Sequence, residues 1–354
     1  MDIKKYLKNE QKPKILIVQP SRMGDIIFAL PAVSAIKKQY AYAHISWIAD
    51  ERCADIIKDN SLIDNLIIFD RTKVSLSYII KFYKLLRAEK FDLSIDFHGL
   101  FKSAFIVMLA GAKFKLASSS TNGMRELSWI FSKEIKPDNF DSHCVQRHLA
   151  VAKYLGCNID DIEYNISPSQ QQKENFKNFL SGNNIDVSKK TVAIHPGGGW
   201  LSRRWQSEKF SKLMDLINEN FDVNVVLIGG KEGGSSEKGL DEEIISQCKN
   251  KNIINLTGKL PLKDLITFFS FCNLFVANEA GPAHIATAMK VNSVVILGPT
   301  NAKRTGPFGG NTVIVQKKVP CQPCRNRNCT KKDCMKLITV EEIFSIVAAS
   351  LRTL

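Results

Sequence analysis

Two series of alternating strand and helix patterns most constrain the fold of this chain. The first starts with the apolar, β-rich run Lys14–Val18 and a helical pattern over Ile26–Gln39, and it continues to a helix over His143–Leu155. The second starts at the strand Thr191–His195 and ends at the strand Ser293–Leu297. Such alternation is typical of a parallel sheet with helices on both faces. The sequence therefore predicts an α/β protein with two Rossmann-like halves.

The chain is long enough for two domains, because it has 354 residues and single cores stop growing near 250–300. A polar segment at 158–172 marks the expected boundary. We expect a first domain over 1–165, a second over 166–335 and a terminal helical segment over 336–354. Two halves of similar size suggest a cleft between the domains.

Positive charge is in excess, with 49 lysines and arginines against 35 aspartates and glutamates and a net charge of +14. The charges are spread out, and no basic helix or aromatic RNA-binding signature occurs, so no nucleic-acid ligand is expected. An acidic acceptor or an anionic membrane surface is the favoured partner, and a generally basic proteome is the alternative.

The hydropathy pattern indicates a cytoplasmic protein. No apolar run approaches the roughly 20 residues that span a bilayer, and the first residues lack the apolar segment of a signal peptide. In that compartment the nine cysteines are expected to be reduced.

The turn after the first strand carries Gly24-Asp25. Ligands of open α/β sheets bind at the carboxyl ends of the strands, so a carboxylate here is a candidate for chemistry. The alternative is that Asp25 only caps the following helix. The two roles are compatible, and capping predicts a low pKa for Asp25 because a helix N-terminus favours the charged form.

Glycine-rich turns follow two strands of the second half. Gly197 and Gly198 come directly after Thr191–His195, with Arg203 and Arg204 close behind. Exposed backbone N–H groups and guanidinium groups are what a phosphate needs, and the alternative is a tight turn with surface arginines. A second strand-then-glycine turn carries Gly229 and Gly230.

A third turn, Glu279-Ala280-Gly281, precedes a helix whose N-terminus favours an anion. Glu279 and His284 are candidates for hydrogen bonds to a sugar, although His284 is also explained as a buried helical histidine. Thr300 ends the next strand. Because the turns lie on successive strands of one domain, we expect them to converge on a nucleoside diphosphate.

Four cysteines cluster before the last helix. They include one Cys-x-x-Cys pair, which permits a structural zinc or iron site, but the later spacings match no familiar zinc finger. Free thiols or a redox-labile site are the alternatives. The cysteines are Cys321, Cys324, Cys329 and Cys334.

Five stretches, in order along nearly the whole chain, resemble glycosyltransferase family 9, the bacterial ADP-heptose:lipopolysaccharide heptosyltransferases. The resemblance implies the GT-B architecture, with an N-terminal acceptor domain, a C-terminal nucleotide-sugar domain and a terminal helix that returns to the first domain. The stretches are Ser21–Pro31, His195–Trp205, Asn278–Ala286, Leu297–Gly309 and Cys321–Met335.

The resemblance also implies an activity. Asp25 matches the family's general base, the expected reaction inverts the transferred sugar, and the catalysis needs no cofactor. The implied donor is ADP-heptose, and the implied acceptor is the acidic Kdo–lipid A inner core at the cytoplasmic face of the inner membrane. Candidates on the acceptor side are Ser21, Arg22, Gly24 and His98.

Two departures from the family pattern put the donor in doubt. Arg203 stands where lysine is common, and Glu279-Ala280-Gly281 replaces Asp-Thr/Ser-Gly. The family's ribose-binding acid matches Glu232 only loosely. Another sugar donor, a protein acceptor, and a non-catalytic nucleotide-sugar-binding protein therefore stay open as alternatives.

Overall fold

The structure is a computed structural model that describes residues 2–73, 75–119, 130–230 and 239–354. The chain divides into two compact units, residues 1–165 and 166–354. The division falls inside the polar segment that follows the first strand-helix series.

The first unit contains a parallel six-stranded sheet with helices between its strands. The strands are β1 (Lys14–Val18), β2 (His44–Asp50), β3 (Asn65–Phe69), β4 (Leu93–Asp96), β5 (Phe114–Ser118) and β6 (Lys133–Ile135). The helices are α1 (Ile3–Asn9), α2 (Met23–Gln39), α3 (Glu51–Ala54), α4 (Leu76–Glu89), α5 (Phe101–Ala110) and α6 (Cys144–Tyr154). The strand order is β3-β2-β1-β4-β5-β6. Its central strand, β1, is apolar throughout its buried part because helices cover both faces of such a sheet.

The second unit repeats this arrangement. Its strands are β7 (Thr191–His195), β8 (Asn224–Leu227), β9 (Ile253–Asn255), β10 (Leu274–Asn278), β11 (Asn292–Ile296) and β12 (Thr312–Val315). Its helices are α7 (Gln170–Gly182), α8 (Ser207–Asn220), α9 (Leu240–Gln247), α10 (Leu262–Phe269), α11 (Gly281–Ala288), α12 (Ala302–Thr305), α13 (Asp333–Lys336) and α14 (Val340–Thr353). The parallel order is β12-β11-β10-β7-β8-β9.

Both sheets have the strand order of a doubly wound Rossmann fold, in which the order reverses beside the first strand. The reversal lies between β1 and β4 in the first unit and between β7 and β10 in the second. The prediction of an α/β protein with two Rossmann-like halves is confirmed. The reversal point is where such sheets bind ligands, so it is the first place to look for a site.

The terminal helix packs on the second unit through one face, because Val340, Ile343 and Val347 are buried in the core of that unit. That core also contains Leu213 of α8 and Val276 of β10. The apolar face of α14 therefore belongs to the second unit. Its expected return to the first domain stays a prediction.

Several short elements escape the sequence analysis. The edge strands β6 and β12 and the helix α1 span three to seven residues and carry weak periodicity. Within the described ranges, no helix combines the length and the apolar character that crossing a bilayer requires.

Candidate active site

Asp25 lies in the first turn of α2, just beyond the carboxyl end of β1. The helix begins at Met23, so Arg22 is the N-cap residue and Asp25 is the third helical residue. The Asp25 carboxylate accepts a hydrogen bond from the backbone N–H of Arg22 at 3.2 Å. The predicted N-cap role is thus corrected: the carboxylate reaches back to the cap backbone instead of occupying the cap position.

The pKa of Asp25 also differs from its prediction. Burial of the carboxyl raises the pKa above its ordinary value, while the Arg22 backbone hydrogen bond and the Arg22 charge oppose this shift without cancelling it. Burial dominates because removing a carboxylate from water penalises its charged form. A carboxylate with a raised pKa accepts a proton more readily, which suits a general base.

A second carboxylate lies at the same reversal point and was missed by the sequence analysis. Asp96 ends β4 and is paired in register with Val18 of β1. Its buried carboxylate accepts hydrogen bonds from the backbone N–H groups of His98 and Gly99 at 2.9 and 3.0 Å and from the hydroxyl of Ser103 at 2.9 Å. Burial nevertheless raises the pKa of Asp96 to about 6. Asp96 thereby fixes the turn that carries the predicted acceptor-side residue His98.

The remaining acceptor-side predictions lie on the loop between β1 and α2 and, for Gly24, in the first turn of α2. Ser21 is buried, and its carbonyl accepts a hydrogen bond from the Gln19 amide at 2.6 Å. Gly24 is half-buried, whereas Arg22 is exposed. The loop therefore presents one cation beside Asp25.

At the end of β2, Asp50 forms ion pairs with two further cations, Arg52 and Arg71. Its backbone N–H donates to the carbonyl of Pro20 at 2.7 Å, which ties this strand end to the Asp25 loop. Its buried carboxylate accepts a hydrogen bond from Arg52 Nε at 2.9 Å and another from Arg71. The two guanidinium groups remain substantially exposed. The spacing along the chain gives no signal for this cluster.

In the second unit, the turn after β7 is held by side chains. Asn278 at the end of β10 donates through Nδ2 to the carbonyl of Pro196 at 2.6 Å and accepts through Oδ1 from the Trp205 backbone N–H at 3.1 Å. Arg204 is buried and donates through Nε and Nη2 to the carbonyl of Gly198 at 2.9 and 2.7 Å. Arg204 therefore braces the glycine turn, and its predicted phosphate contact stays a prediction.

Arg203 lies next to Glu279, another residue of the predicted nucleotide-sugar site. Its Nε lies 3.7 Å from the Glu279 carboxylate, which is almost fully buried. Glu279 also accepts hydrogen bonds from the hydroxyls of Thr300 and Thr305, the latter at 3.5 Å. Burial raises the pKa of Glu279, and the Arg203 charge opposes the shift. The structure thus joins the turns after β7, β10 and β11 through one buried carboxylate.

The N-terminus of α11 opens at Gly281 in the same region. Its N-cap residue, Ala280, has no side-chain hydrogen bond, and Pro282 occupies the first turn. His284 is buried one turn further along. No N-cap side chain therefore competes with an anion at this helix end, whose dipole favours negative charge.

The second predicted glycine turn follows β8, which is the neighbour of β7 in the sheet. Gly229 is half-buried, its carbonyl accepts from the Gly258 backbone N–H at 2.9 Å, and Gly230 is exposed. Glu232, the loosely matched ribose acid, lies outside the described residues.

The four clustered cysteines are not brought together as metal ligands. Among the residues that the structure describes, no group of three or more histidine, cysteine, aspartate or glutamate side chains could hold a metal ion. Cys334 is buried, Cys321 is exposed, and the backbone N–H of Cys324 donates to the carbonyl of Pro299 at 2.7 Å. The segment therefore packs on the end of β11 through its backbone.

Two doubly wound sheets, each with polar groups at its reversal point, correspond to the two Rossmann-like domains of the GT-B architecture. The family model of glycosyltransferase family 9 (heptosyltransferase) matches residues 79–335. The chain belongs to this family, as the sequence resemblance predicted, and it is a glycosyltransferase.

Named relatives align over most of both chains. The chain is similar to a lipooligosaccharide heptosyltransferase 2 of Campylobacter jejuni, with 28% identity over 93% of this chain and 96% of the relative. It is similar to lipopolysaccharide heptosyltransferase 3 of Escherichia coli K12, with 26% identity over 91% and 93% of the two chains.

Solved structures support the fold. A glycosyl transferase family 9 protein of Veillonella parvula superposes with a TM-score of 0.82 at 20% identity, covering 97% of this chain and 98% of that one. The E. coli heptosyltransferase WaaC with ADP gives a TM-score of 0.74 at 19% identity, covering 95% and 99%.

Proposed function

We propose that this protein transfers heptose from ADP-heptose to the inner core of lipopolysaccharide, with Kdo–lipid A as the acceptor. The reversal point of the second unit carries the proposal, because Arg203, buried Glu279 and the uncapped N-terminus of α11 lie together there. A guanidinium group and a helix N-terminus suit a diphosphate. The names of the relatives supply the sugar and the acceptor class.

In this proposal the second unit stabilises the leaving group. As the bond between the anomeric carbon and the diphosphate breaks, the bonding electrons go to the diphosphate oxygen. Arg203 and the backbone N–H groups of α11 offset the charge that develops there. Glu279 orients Arg203 and, through the hydroxyls of Thr300 and Thr305, fixes the neighbouring turns. ADP is already a good leaving group, so the proposed chemistry needs no cofactor.

The first unit supplies the base. The ionised Asp25 carboxylate takes the proton from the acceptor hydroxyl as that oxygen forms its bond to the anomeric carbon. Attack opposite the departing diphosphate inverts the anomeric configuration. Asp25 then releases the proton to solvent and is ready for another turnover. General base catalysis of this type contributes about 10²–10⁴ in rate.

The cations beside this base favour an acidic acceptor. Arg22 is exposed, and Asp50 holds Arg52 and Arg71 by one carboxylate while leaving both guanidinium groups accessible. Guanidinium groups bind carboxylates and phosphates through paired hydrogen bonds. The three arginines could therefore bind the carboxylates and phosphates of an acidic sugar lipid.

A surface on α4 supports contact with the cytoplasmic face of the inner membrane. Leu76, Ile80 and Tyr83 are exposed on this helix, at spacings that place them on one stripe. Lys81 and Lys84 lie on the same exposed side. Apolar side chains flanked by lysines suit an anionic bilayer surface. We expect Leu76→Glu with Ile80→Glu to reduce binding to vesicles containing phosphatidylglycerol.

The donor assignment is tested by thermal unfolding with ADP, UDP and GDP and with ADP-heptose. A ligand at 100 times its dissociation constant stabilises the folded state by about 2.7 kcal/mol. We expect stabilisation by ADP and ADP-heptose. Preference for UDP or GDP would rule out the heptosyl assignment and leave another family-9 donor as the function.

The acceptor assignment is tested by transfer assays with ADP-heptose and Kdo–lipid A. Formation of the heptosylated lipid is the expected result. Nucleotide binding without transfer to any glycolipid or protein acceptor would instead favour a non-catalytic binding protein.

A further inference from the structure

The segment that contains the four clustered cysteines, Cys321–Cys334, contacts two turns at the ligand-binding edge of the second sheet. At one end it is anchored to the chain that leaves β11. The Gln322 side chain donates to the carbonyl of Gly298 at 2.6 Å, and the Cys324 backbone N–H donates to the carbonyl of Pro299 at 2.7 Å. The segment therefore starts beside the turn that carries Thr300.

Three residues later the same segment has reached the turn after β7. The guanidinium carbon of Arg327 lies 4.8 Å from the centroid of the Trp200 ring. Strands β11 and β7 lie on opposite sides of β10, so their ends are about 10 Å apart at the usual strand spacing. Three extended residues span about 10 Å as well. The stretch from Cys324 to Arg327 is therefore long enough to reach from the end of β11 towards the end of β7.

Trp200 is shared by two guanidinium groups. Arg203 lies closer, with its guanidinium carbon 3.9 Å from the ring centroid, within the range of a cation–π interaction. Arg203 has a carboxylate partner in Glu279, at 3.7 Å. In the part of the chain that the structure describes, Arg327 has no carboxylate within 4 Å, and its side chain is exposed. Two guanidinium charges held against one ring repel each other, and an anion bound beside them would offset that repulsion.

We propose that Arg327 is a diphosphate-binding residue that completes an anion subsite with Arg203 on the Trp200 ring. The identity of the nucleotide rests on the proposed function, whereas the subsite requires only a nucleoside diphosphate. The indole ring holds both planar guanidinium groups in place, so each can offer paired N–H donors to phosphate oxygens. Through this subsite the segment Cys321–Cys334 becomes part of the donor site.

The test is calorimetric titration of the full chain with ADP, AMP and adenosine. We expect Arg327→Ala to weaken ADP binding about tenfold, to weaken AMP binding less and to leave adenosine binding unchanged. Arg327→Lys keeps the charge but loses the planar fork, so its ADP affinity should lie between those of the unmodified chain and Arg327→Ala. Arg325→Ala is the matched control, because Arg325 is an exposed arginine of the same segment; its dissociation constant for ADP stays within twofold of that of the unmodified chain.

A double variant separates binding from folding of the segment. If Trp200 positions Arg327, then Arg327→Ala has a smaller effect on ADP affinity in the Trp200→Ala background. Unchanged ADP affinity in Arg327→Ala would overturn the proposal, and so would an equal loss of adenosine affinity, which would indicate a collapsed loop. If the unmodified chain binds UDP or GDP in place of ADP, the heptosyl assignment fails, and the same variants are then compared with that diphosphate.

Discussion

The backbone N–H of Arg22 donates a hydrogen bond to the Asp25 carboxylate across 3.2 Å, and yet the pKa of Asp25 is raised. A backbone donor favours the ionised carboxylate, so burial must outweigh it. Above the ordinary pKa of an aspartate, the ionised form of this residue therefore costs the folded state free energy. The position is unfavourable for a residue that only caps a helix, but it suits one that accepts a proton.

Asp25→Asn is expected to separate activity from stability. Asparagine keeps an oxygen for the Arg22 N–H but cannot take a proton, so turnover falls by at least about 10². Removal of a poorly solvated charge raises the melting temperature at pH 7, and ADP affinity is unchanged. Transfer assays, thermal unfolding and titration with ADP measure the three effects.

Asp70→Asn provides the control for this variant, because Asp70 is a half-buried loop residue that is hydrogen-bonded to Thr72 and ion-paired with Lys73. Its turnover should equal that of the unmodified chain. Full turnover in Asp25→Asn would exclude Asp25 as the base.

The rate of transfer should depend on pH through Asp25. The base must be ionised, so kcat/KM for the acceptor rises as pH increases through the raised pKa of Asp25 and then levels off. Asp25→Glu retains a carboxylate, so it keeps some activity and has a profile with a displaced midpoint. A pH–rate profile that is flat from pH 4 to 8 would contradict this assignment.

Asp96 should make the fold less stable as the pH rises. Its pKa in the folded state, about 6, lies above its ordinary value of 3.8. The stabilisation from the protonated form is fully present below the ordinary pKa and is lost as pH rises through about 6. The difference corresponds to a loss on the order of 2 kcal/mol between pH 4 and 7. Urea unfolding across this range measures it.

Asp96→Asn is the matched variant for that measurement. Its amide oxygen can still accept from His98 and Gly99, and the Ser103 hydroxyl can rotate to accept from the new amide. The free energy of unfolding of the unmodified chain minus that of Asp96→Asn should therefore decrease from pH 4 to 7. A constant difference would show that Asp96 does not titrate in this range.

Arg203 and Arg204 are adjacent but should respond oppositely to alanine substitution. Arg203→Ala removes a cation from the donor site, so ADP affinity falls at least tenfold while the melting temperature changes little. Arg204→Ala leaves the Gly198 carbonyl without two donors, which destabilises the fold by about 1–3 kcal/mol. Thermal unfolding and ADP titration of both variants test this contrast. Equal effects of the two substitutions on both quantities would contradict it.

The sheets were largely predictable because their central strands are buried on both faces. The bounds of β1 and β7 agree with their sequence patterns, since a buried parallel strand is one short apolar run. The start of α2 was displaced because its N-cap, Arg22, has no side-chain hydrogen bond and gives no capping signal. The edge strand β12 was missed because it is short and follows a glycine-rich loop.

The candidate site was predictable where it follows strands and unpredictable where it depends on tertiary contacts. Glu279 and Gly281 were predicted because Glu279 directly follows a strand and Gly281 begins a helix. Asp96 looked like one more residue of a strand, since its three donors come from a turn that only the fold creates. Arg327 is remote from Trp200 along the chain, and no periodicity connects them.

Asn278 uses the two ends of one amide to join β10 to the turn after β7. Because one planar amide links the end of β10 to the turn after β7, neither can shift without breaking a buried hydrogen bond. The proposed donor site is therefore preorganised, and binding of a nucleotide there would cost little conformational entropy of the protein. Most of the gross binding energy remains for holding the diphosphate while its bond to the sugar breaks.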